Sequence, residues 1–163
     1  MRPSDCDETP EPGEHPIALA RRLALAKATA VATTDRIVLG ADTIVWLSDP
    51  MRALGKPSDV DDARAMLRSL GGRMHHVTTA FALTGAVPSE VHDLTTDVWM
   101  RALPDAELDA YLAGDEWRDK AGAYGIQGLA AAFVTRIDGS YTAVVGLPLA
   151  EVIVRLRALG VTR

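Results

Sequence analysis

The chain has 163 residues, of which 48% are hydrophobic and 24% are charged, a balance typical of one soluble globular domain with a buried core. Its 22 acidic residues outnumber its 17 lysines and arginines, and the net charge of −5 argues against a general nucleic-acid-binding surface, although a cleft can still be locally basic. The lone Cys6 excludes a disulfide framework, no apolar run approaches the ~20 residues of a membrane span, and the polar start does not resemble a signal peptide. We therefore expect a single cytoplasmic domain over residues 1–163, with no membrane or nucleic-acid partner.

The first half of the chain alternates between predicted helices and strands. After a polar lead-in, Pro16 begins a predicted helix that runs to about residue 32, with leucines and alanines along one stripe. Residues 37–41 and 43–47 are predicted to be strands, and residues 48–55 a loop. A pattern similar to a capping box at 58–61 begins a second helix, which ends at Gly71-Gly72.

The second half of the chain is predicted to contain more strands. Alternating side chains at 77–83 and 91–99 predict two strands joined by a turn. The remaining predicted elements are a helix near 104–113, two strands near 131–137 and 141–145, and a final helix over 148–159. Hairpins mixed with crossing helices favour an α/β fold with a mixed sheet flanked by helices over a regular βαβ winding.

The stretch IVLGADTIVW, residues 37–46, places a carboxylate between two apolar runs. A buried carboxylate is costly unless it is paired, so Asp42 needs an explanation. It could form a turn between two strands, which the local sequence favours, because aspartate is common in turns. It could also be a catalytic or metal-binding group at the floor of a cleft.

Three short segments set a polar side chain among glycines or small residues: LGADT (39–43), LGKP (54–57) and DKAGAYGIQG (119–128). Glycine allows the backbone to approach a ligand closely. Lys56, next to a proline, suits a fixed cation, but a solvated lysine in an ordinary turn has the same pattern. Gln127 could likewise serve only to hold the backbone of a structural turn.

Two acids, two lysines and two neutral polar residues together favour a nucleotide phosphohydrolase over a sugar or peptide enzyme. Carboxylates can hold a hard divalent cation, lysines can bind phosphate oxygens, and hydroxyl and amide groups can recognise the edge of a base. The residues are Glu8 and Asp42, Lys27 and Lys56, and Thr43 and Gln127.

The chain resembles the Maf family of nucleoside triphosphate pyrophosphatases. The resemblance runs through DETP (7–10), RLALAKA (22–28), GADT (40–43), LGKP (54–57), GGRMHHVTT (71–79), GDEWRDKAGAYGIQG (114–128) and GSYTAVVGLPL (139–149). It implies the ITPase-like Maf fold with a cleft between two lobes, and hydrolysis of a nucleoside triphosphate to the monophosphate and pyrophosphate. It also implies a divalent metal ion such as Mg²⁺ or Mn²⁺, and a homodimer.

The resemblance also implies roles for individual residues. Asp42 matches the catalytic acid that accepts a proton from the water attacking the α-phosphorus. Thr43 and Gln127 match positions that select the base, and the ADT and GIQG motifs are similar to the branch acting on dTTP and UTP. Glu8 and Asp42 are the implied metal ligands. The remaining matching positions, which would bind phosphate, are Lys27, Lys56 and Lys120.

The sequence departs from the family pattern in two places. Ala143 stands where the family usually has asparagine, and the family's first strand, S-x-S-P-R-R turn and helix have no counterpart. We therefore expect the chain to be truncated at its N-terminus, with Met1 standing at an internal valine position, and to be weakly active. The alternative function is a nucleotide-binding remnant or a regulatory protein of the same fold.

Overall fold

A computed structural model of the protein describes residues 6–161; the expectation about Met1 concerns residues outside this range. Within it, the chain forms a sheet and flanking helices, which confirms the predicted α/β class. The strands are β1 (Ile37–Ser48), β2 (Met51–Leu54), β3 (Met74–Gly85), β4 (Glu90–Met100) and β5 (Val134–Asp138). The helices are α1 (Pro16–Ala30), α2 (Val60–Leu70), α3 (Asp105–Leu112), α4 (Tyr141–Val145) and α5 (Leu149–Ala158), with short 3-10 helices at Ala121–Ala123 and Leu129–Phe133.

The five strands form one sheet in the order β2-β1-β3-β4-β5. In the described part of the chain every pairing is antiparallel, so the sheet is not the mixed sheet expected from the sequence. Two of the pairings are hairpins with turns at residues 49–50 and 86–89, and a turn this short can only join antiparallel neighbours. No helix in the described residues is both long and apolar enough to span a membrane.

Helix α1 packs closely against one face of the sheet because both surfaces carry small side chains. Its contacting residues lie four apart on one side of the helix and meet two alanines of β3; all are fully buried: Ala20, Ala24 and Ala28 against Ala80 and Ala82. Gly40 of β1 lies under the same helix, where a Cβ atom would approach the Ala24 carbonyl oxygen and the Ala28 nitrogen to 2.5 Å. This contact sets the position of Lys27 over the sheet.

The opposite face of the sheet is covered by the larger hydrophobic core. Leu67 and Leu70 of α2, Leu108 of α3 and Trp117 pack there with Val77 of β3. Helix α5 covers the far end of the same face, where Val152 contacts Phe81 and Leu83. The sheet is therefore held between α1 on one side and the remaining long helices on the other.

Local details differ from three of the sequence-based predictions. Residues 141–145 form helix α4 and not a strand, because the Ser140 side chain accepts a hydrogen bond from the Ala143 nitrogen at 3.3 Å and Gly146, at φ +127°, ends the helix. The predicted loop at 48–55 contains strand β2. Helix α2 is capped one residue later than predicted, by Asp59, whose carboxylate accepts from the Asp62 nitrogen at 2.8 Å.

Candidate active site

Asp42 lies in the middle of β1, opposite Ala80 of β3, so the predicted turn at this position is wrong. On its other side β1 pairs with β2 only over Val45–Ser48, and within residues 6–161 no strand borders residues 37–44 there. Successive side chains of a strand point to opposite faces. At this open edge, however, both Asp42 and Thr43 reach the same space.

The buried carboxylate of Asp42 is paired with Lys27 of α1. The Lys27 ammonium contacts Asp42 Oδ1 and lies 2.6 Å from Glu8 Oε1, so one cation joins two carboxylates. The Asp42 side chain is only 9% exposed, and burial raises its pKa above the ordinary value against the opposing effect of Lys27. The hydrogen bond from Lys27 lowers the pKa of the more exposed Glu8.

Lys27 itself is held in its charged form. Burial of its side chain works against the charge, but the hydrogen bonds to the two carboxylates and their negative charges together outweigh burial and raise the pKa of Lys27. The pairing answers the question that the sequence raised about Asp42, because a carboxylate can be buried when a charged partner satisfies it.

Two adjoining cavities, of about 620 Å³ and about 180 Å³, open at this edge of β1. The site residues expected from the sequence all line one or both of them. Glu8 and Lys27 line the smaller cavity, Lys120 and Gln127 the larger, and three residues line both: Asp42, Thr43 and Lys56. Tertiary structure therefore brings together seven side chains that are spread over residues 8–127 of the sequence.

Glu116 also lines the larger cavity, and the sequence reasoning did not single it out. Its carboxylate accepts hydrogen bonds from the backbone nitrogens of Leu129, at 2.9 Å, and Ala130, at 3.4 Å, so it ties down the turn that carries Gln127. Gly128 has no room for a Cβ atom because the Glu116 carboxylate occupies that space. The sequence feature that could have identified Glu116 is its place four residues before Lys120, next to a glycine-rich segment.

The same segment is anchored to the sheet by a buried pair of side chains. The Tyr124 hydroxyl lies 2.8 Å from Nε2 of His75 on β3, and both side chains are buried. Burial raises the pKa of Tyr124 and lowers the pKa of His75 to about 3, so both groups are neutral near pH 7. His75 therefore serves as a neutral hydrogen-bonding partner, and it faces the core.

Comparison with known proteins identifies the family to which this arrangement belongs. The profile of the Maf-like protein family matches residues 1–159. The chain belongs to the Maf family. It is 49% identical over 160 residues to the dTTP/UTP pyrophosphatase of Cereibacter sphaeroides, which covers 98% of this chain and 82% of the relative. It is also 48% identical to the dTTP/UTP pyrophosphatase of Roseobacter denitrificans, over 98% of this chain and 85% of the relative. It is 46% identical to the dTTP/UTP pyrophosphatase of Hahella chejuensis, over 97% of this chain and 80% of the relative.

The donor atoms of this Maf chain fit a divalent metal ion that is bound together with phosphate. Among the described residues no cluster of three or more histidines, cysteines and acids could hold a metal ion without help. Glu8 and Asp42 nevertheless place two carboxylates around one ammonium, which leaves an excess negative charge and hard oxygen donors. Mg²⁺ typically binds through one or two carboxylates, with waters and substrate phosphates completing its shell.

Proposed function

We propose that the chain is a nucleoside triphosphate pyrophosphatase that hydrolyses dTTP and UTP to the monophosphate and pyrophosphate. The observation that carries the proposal is the buried Asp42 carboxylate, which is paired with Lys27 at the floor of a cleft. Further lysines line this cleft. A cavity of about 620 Å³ falls within the usual range for small-molecule sites. The names of the relatives, which match nearly the whole chain, supply the substrates.

Asp42 would act as the general base in this reaction. Its carboxylate faces the cleft at the open edge of β1, and burial raises its pKa toward the range in which a carboxylate accepts a proton efficiently. Taking a proton from water as the water attacks the α-phosphorus makes the attacking oxygen a stronger nucleophile. Lys27 would hold the carboxylate in place and keep it charged until attack.

The lysines around the cleft would bind the phosphate groups. Lys56 lines both cavities, Lys27 the smaller and Lys120 the larger, so the three cations approach the cleft from separate segments of the chain. Ammonium groups bind phosphate oxygens as point charges, and their convergence would align the triphosphate for attack. Thr43 and Gln127, in the larger cavity, would recognise the base.

A divalent metal ion, Mg²⁺ or Mn²⁺, would be held by Glu8 and Asp42 together with phosphate oxygens. When bound, it would offset the charge that develops on the phosphate. Lys27, which pairs with both carboxylates, would neutralise part of their charge.

The test is the release of pyrophosphate by the purified chain from dTTP, UTP, CTP and GTP in turn, with Mg²⁺ or Mn²⁺ present. We expect dTTP and UTP to be hydrolysed fastest, with the monophosphate as the second product. Release of inorganic phosphate in place of pyrophosphate would contradict the proposed reaction. Thermal stabilisation by a nucleotide without any turnover would favour the alternative of a nucleotide-binding remnant.

Two further expectations stay predictions, one from the resemblance and one from the composition. We propose that the protein is a homodimer, which light scattering on the purified chain would measure. We also propose that it acts in the cytoplasm, where its nucleotide substrates are found, and fractionation of cells would test this.

A further inference from the structure

A chain of hydrogen bonds fixes the Thr43 hydroxyl at the cleft. Thr43 of β1 and Thr79 of β3 are direct partners across the sheet, and their hydroxyl oxygens lie 2.8 Å apart. The Thr79 hydroxyl also lies 2.6 Å from the backbone carbonyl oxygen of Ala143 in α4. Thr79 is fully buried, whereas Thr43 lines both cavities.

The direction of these hydrogen bonds follows from the chemistry of the three groups. A carbonyl oxygen can only accept, so the Thr79 hydroxyl must donate its single proton to Ala143. Only lone pairs of Thr79 then remain for Thr43, and Thr43 must donate its own proton to Thr79. Thr43 therefore presents only lone pairs to the cleft and can accept, but not donate, a hydrogen bond there.

We infer that Thr79 is a specificity-positioning residue, which makes Thr43 an acceptor-only group that selects bases with a ring N–H. The inference rests on the proposed function and on Thr43 contacting the base. Uracil and thymine each offer one such donor in a nucleotide, the N3–H group between two carbonyls. Cytosine has an unprotonated N3 at the same position, so its lone pair would face the lone pairs of Thr43.

The energetic consequence is discrimination against cytidine nucleotides. A site that leaves buried polar groups without a hydrogen bond rejects the mismatched ligand much more strongly than one that only loses packing. The selection depends on Thr79 and on the carbonyl of Ala143, although neither residue needs to contact the base. Gln127 does not supply it alone, because its amide can both donate and accept.

The experiment compares the Thr79→Val variant with Thr79→Ser by measuring kcat/KM for UTP and CTP. Valine retains the branched shape but removes the hydroxyl, so Thr43 is free to turn its proton toward the cleft and donate to cytosine N3. We expect the ratio of kcat/KM for UTP over CTP to fall about tenfold, equivalent to about 1.4 kcal/mol, and mainly through KM. Serine keeps the hydroxyl, so Thr79→Ser should retain the ratio of the unmodified protein.

The matched control is Thr84→Val, the same substitution at a buried position of the same strand. Among residues 6–161 the Thr84 hydroxyl has no hydrogen-bond partner, and Thr84 lines neither cavity, so its loss should leave the ratio unchanged. Equal loss of activity on UTP and CTP in Thr79→Val would overturn the inference, since it would show a purely structural role. A lower UTP-over-CTP ratio in Thr79→Ser would overturn it as well. So would a preference of the unmodified protein for CTP, because Thr43 would then accept a hydrogen bond from the exocyclic amine of cytosine.

Calorimetric binding separates this inference from the proposed function. The probes are UTP and CTP with an imido group between the α- and β-phosphates, which cannot be hydrolysed there. If the unmodified protein turns over neither nucleotide, the proposed activity fails, and the inference still predicts about tenfold tighter binding of the UTP analogue, lost in Thr79→Val. Equal affinity of the unmodified protein for both analogues, or binding of neither, would overturn it.

Discussion

Asp42 and Lys27 show how a site arises from residues that local sequence does not connect. They are 15 positions apart, on a strand and on a helix, and they meet because the alanines of α1 and Gly40 of β1 let the two elements approach closely. The Asp42 carboxylate can be buried because the Lys27 ammonium pairs with it. The turn that its local sequence suggested is unnecessary once this partner is present.

Replacing Asp42 with asparagine should abolish hydrolysis while the protein remains folded. Asparagine has nearly the same shape and can still accept a hydrogen bond from Lys27, but it cannot take a proton from water. General-base catalysis contributes roughly 10²–10⁴-fold to a rate, so kcat should fall by at least about 100-fold. Urea unfolding of the same variant is the control for stability. A variant that retained more than about a tenth of the rate would show that Asp42 is not the base.

Gln127→Ala should change the preference among bases more than it lowers the rate on the best substrate. The Gln127 side chain lines the larger cavity, on the turn that Glu116 holds through the nitrogens of Leu129 and Ala130. Loss of an amide that reads the base edge removes discrimination, whereas the phosphates and Asp42 stay in place. The measurement is kcat/KM for dTTP, UTP, CTP and GTP. Equal losses on pyrimidine and purine nucleotides would mean that Gln127 is structural.

At the scale of elements, the contact of α1 with β1 determines the geometry of the site. Small residues on both surfaces let the helix lie close to the sheet, and Lys27 then reaches Asp42 and Glu8. Any increase in side-chain volume in this contact must push the helix away. The stability of the fold and the geometry of the site therefore depend on the same contact.

Gly40→Ala should destabilise the protein by about 3 kcal/mol, the upper part of the range for overpacked cores. The new Cβ atom would lie 2.5 Å from the Ala24 oxygen and the Ala28 nitrogen, both backbone atoms that cannot turn aside. The control is Gly55→Ala, where no atom of the described residues, apart from the two chain neighbours, lies within 4 Å of the added Cβ and the change should stay within about 0.5 kcal/mol. Urea unfolding measures both. Similar free energies of unfolding for the two variants would show that α1 can move away from the sheet without a loss of stability.

At the scale of the whole molecule, the buried contact between His75 and Tyr124 joins the sheet to the segment that lines the cleft. Burial lowers the pKa of His75 to about 3, from an ordinary value of 6.5, so the folded state binds its proton less readily than the unfolded state does. At this histidine the unfolded protein therefore gains its proton first as pH falls below 6.5, and the contribution of His75 to the free energy of unfolding must decrease. Glu8, Glu14 and Glu90 have lowered pKa values, and their contributions are lost only below about pH 4.5.

Between pH 7 and pH 5, His75 should cost the protein about 2 kcal/mol of unfolding free energy. The measurement is urea unfolding at both pH values for the unmodified protein and for His75→Gln, whose amide can reach Tyr124 but does not titrate. The difference between the two proteins cancels the contributions of other groups. An equal loss in both would show that His75 is not the source of the pH dependence.

Much of the architecture could be predicted from the sequence, because hydrophobic periodicity and capping residues act between near neighbours. Pro16 and the leucine and alanine stripe marked α1, the double glycine at 71–72 marked the end of α2, and alternation marked β3 and β4. Short segments were less certain because they contain too few residues to show a periodicity. Residues 141–145 have the composition of a strand, but the Ser140 cap and Gly146 make them helical. The family motifs identified the polar residues that line the cleft.

The sequence by itself determined the family, the long elements and the chemical types of the side chains around the cleft. Only the tertiary structure decided that Asp42 lies within a strand, that Lys27 joins it to Glu8, and that Glu116 holds the turn with Gln127. It alone gives the direction of the hydrogen bonds from Thr43 through Thr79 to Ala143, across a separation of 64 residues between the last two. The physical reason is that burial, charge pairing and hydrogen-bond direction depend on which distant segments pack together, and local patterns record only the neighbours along the chain.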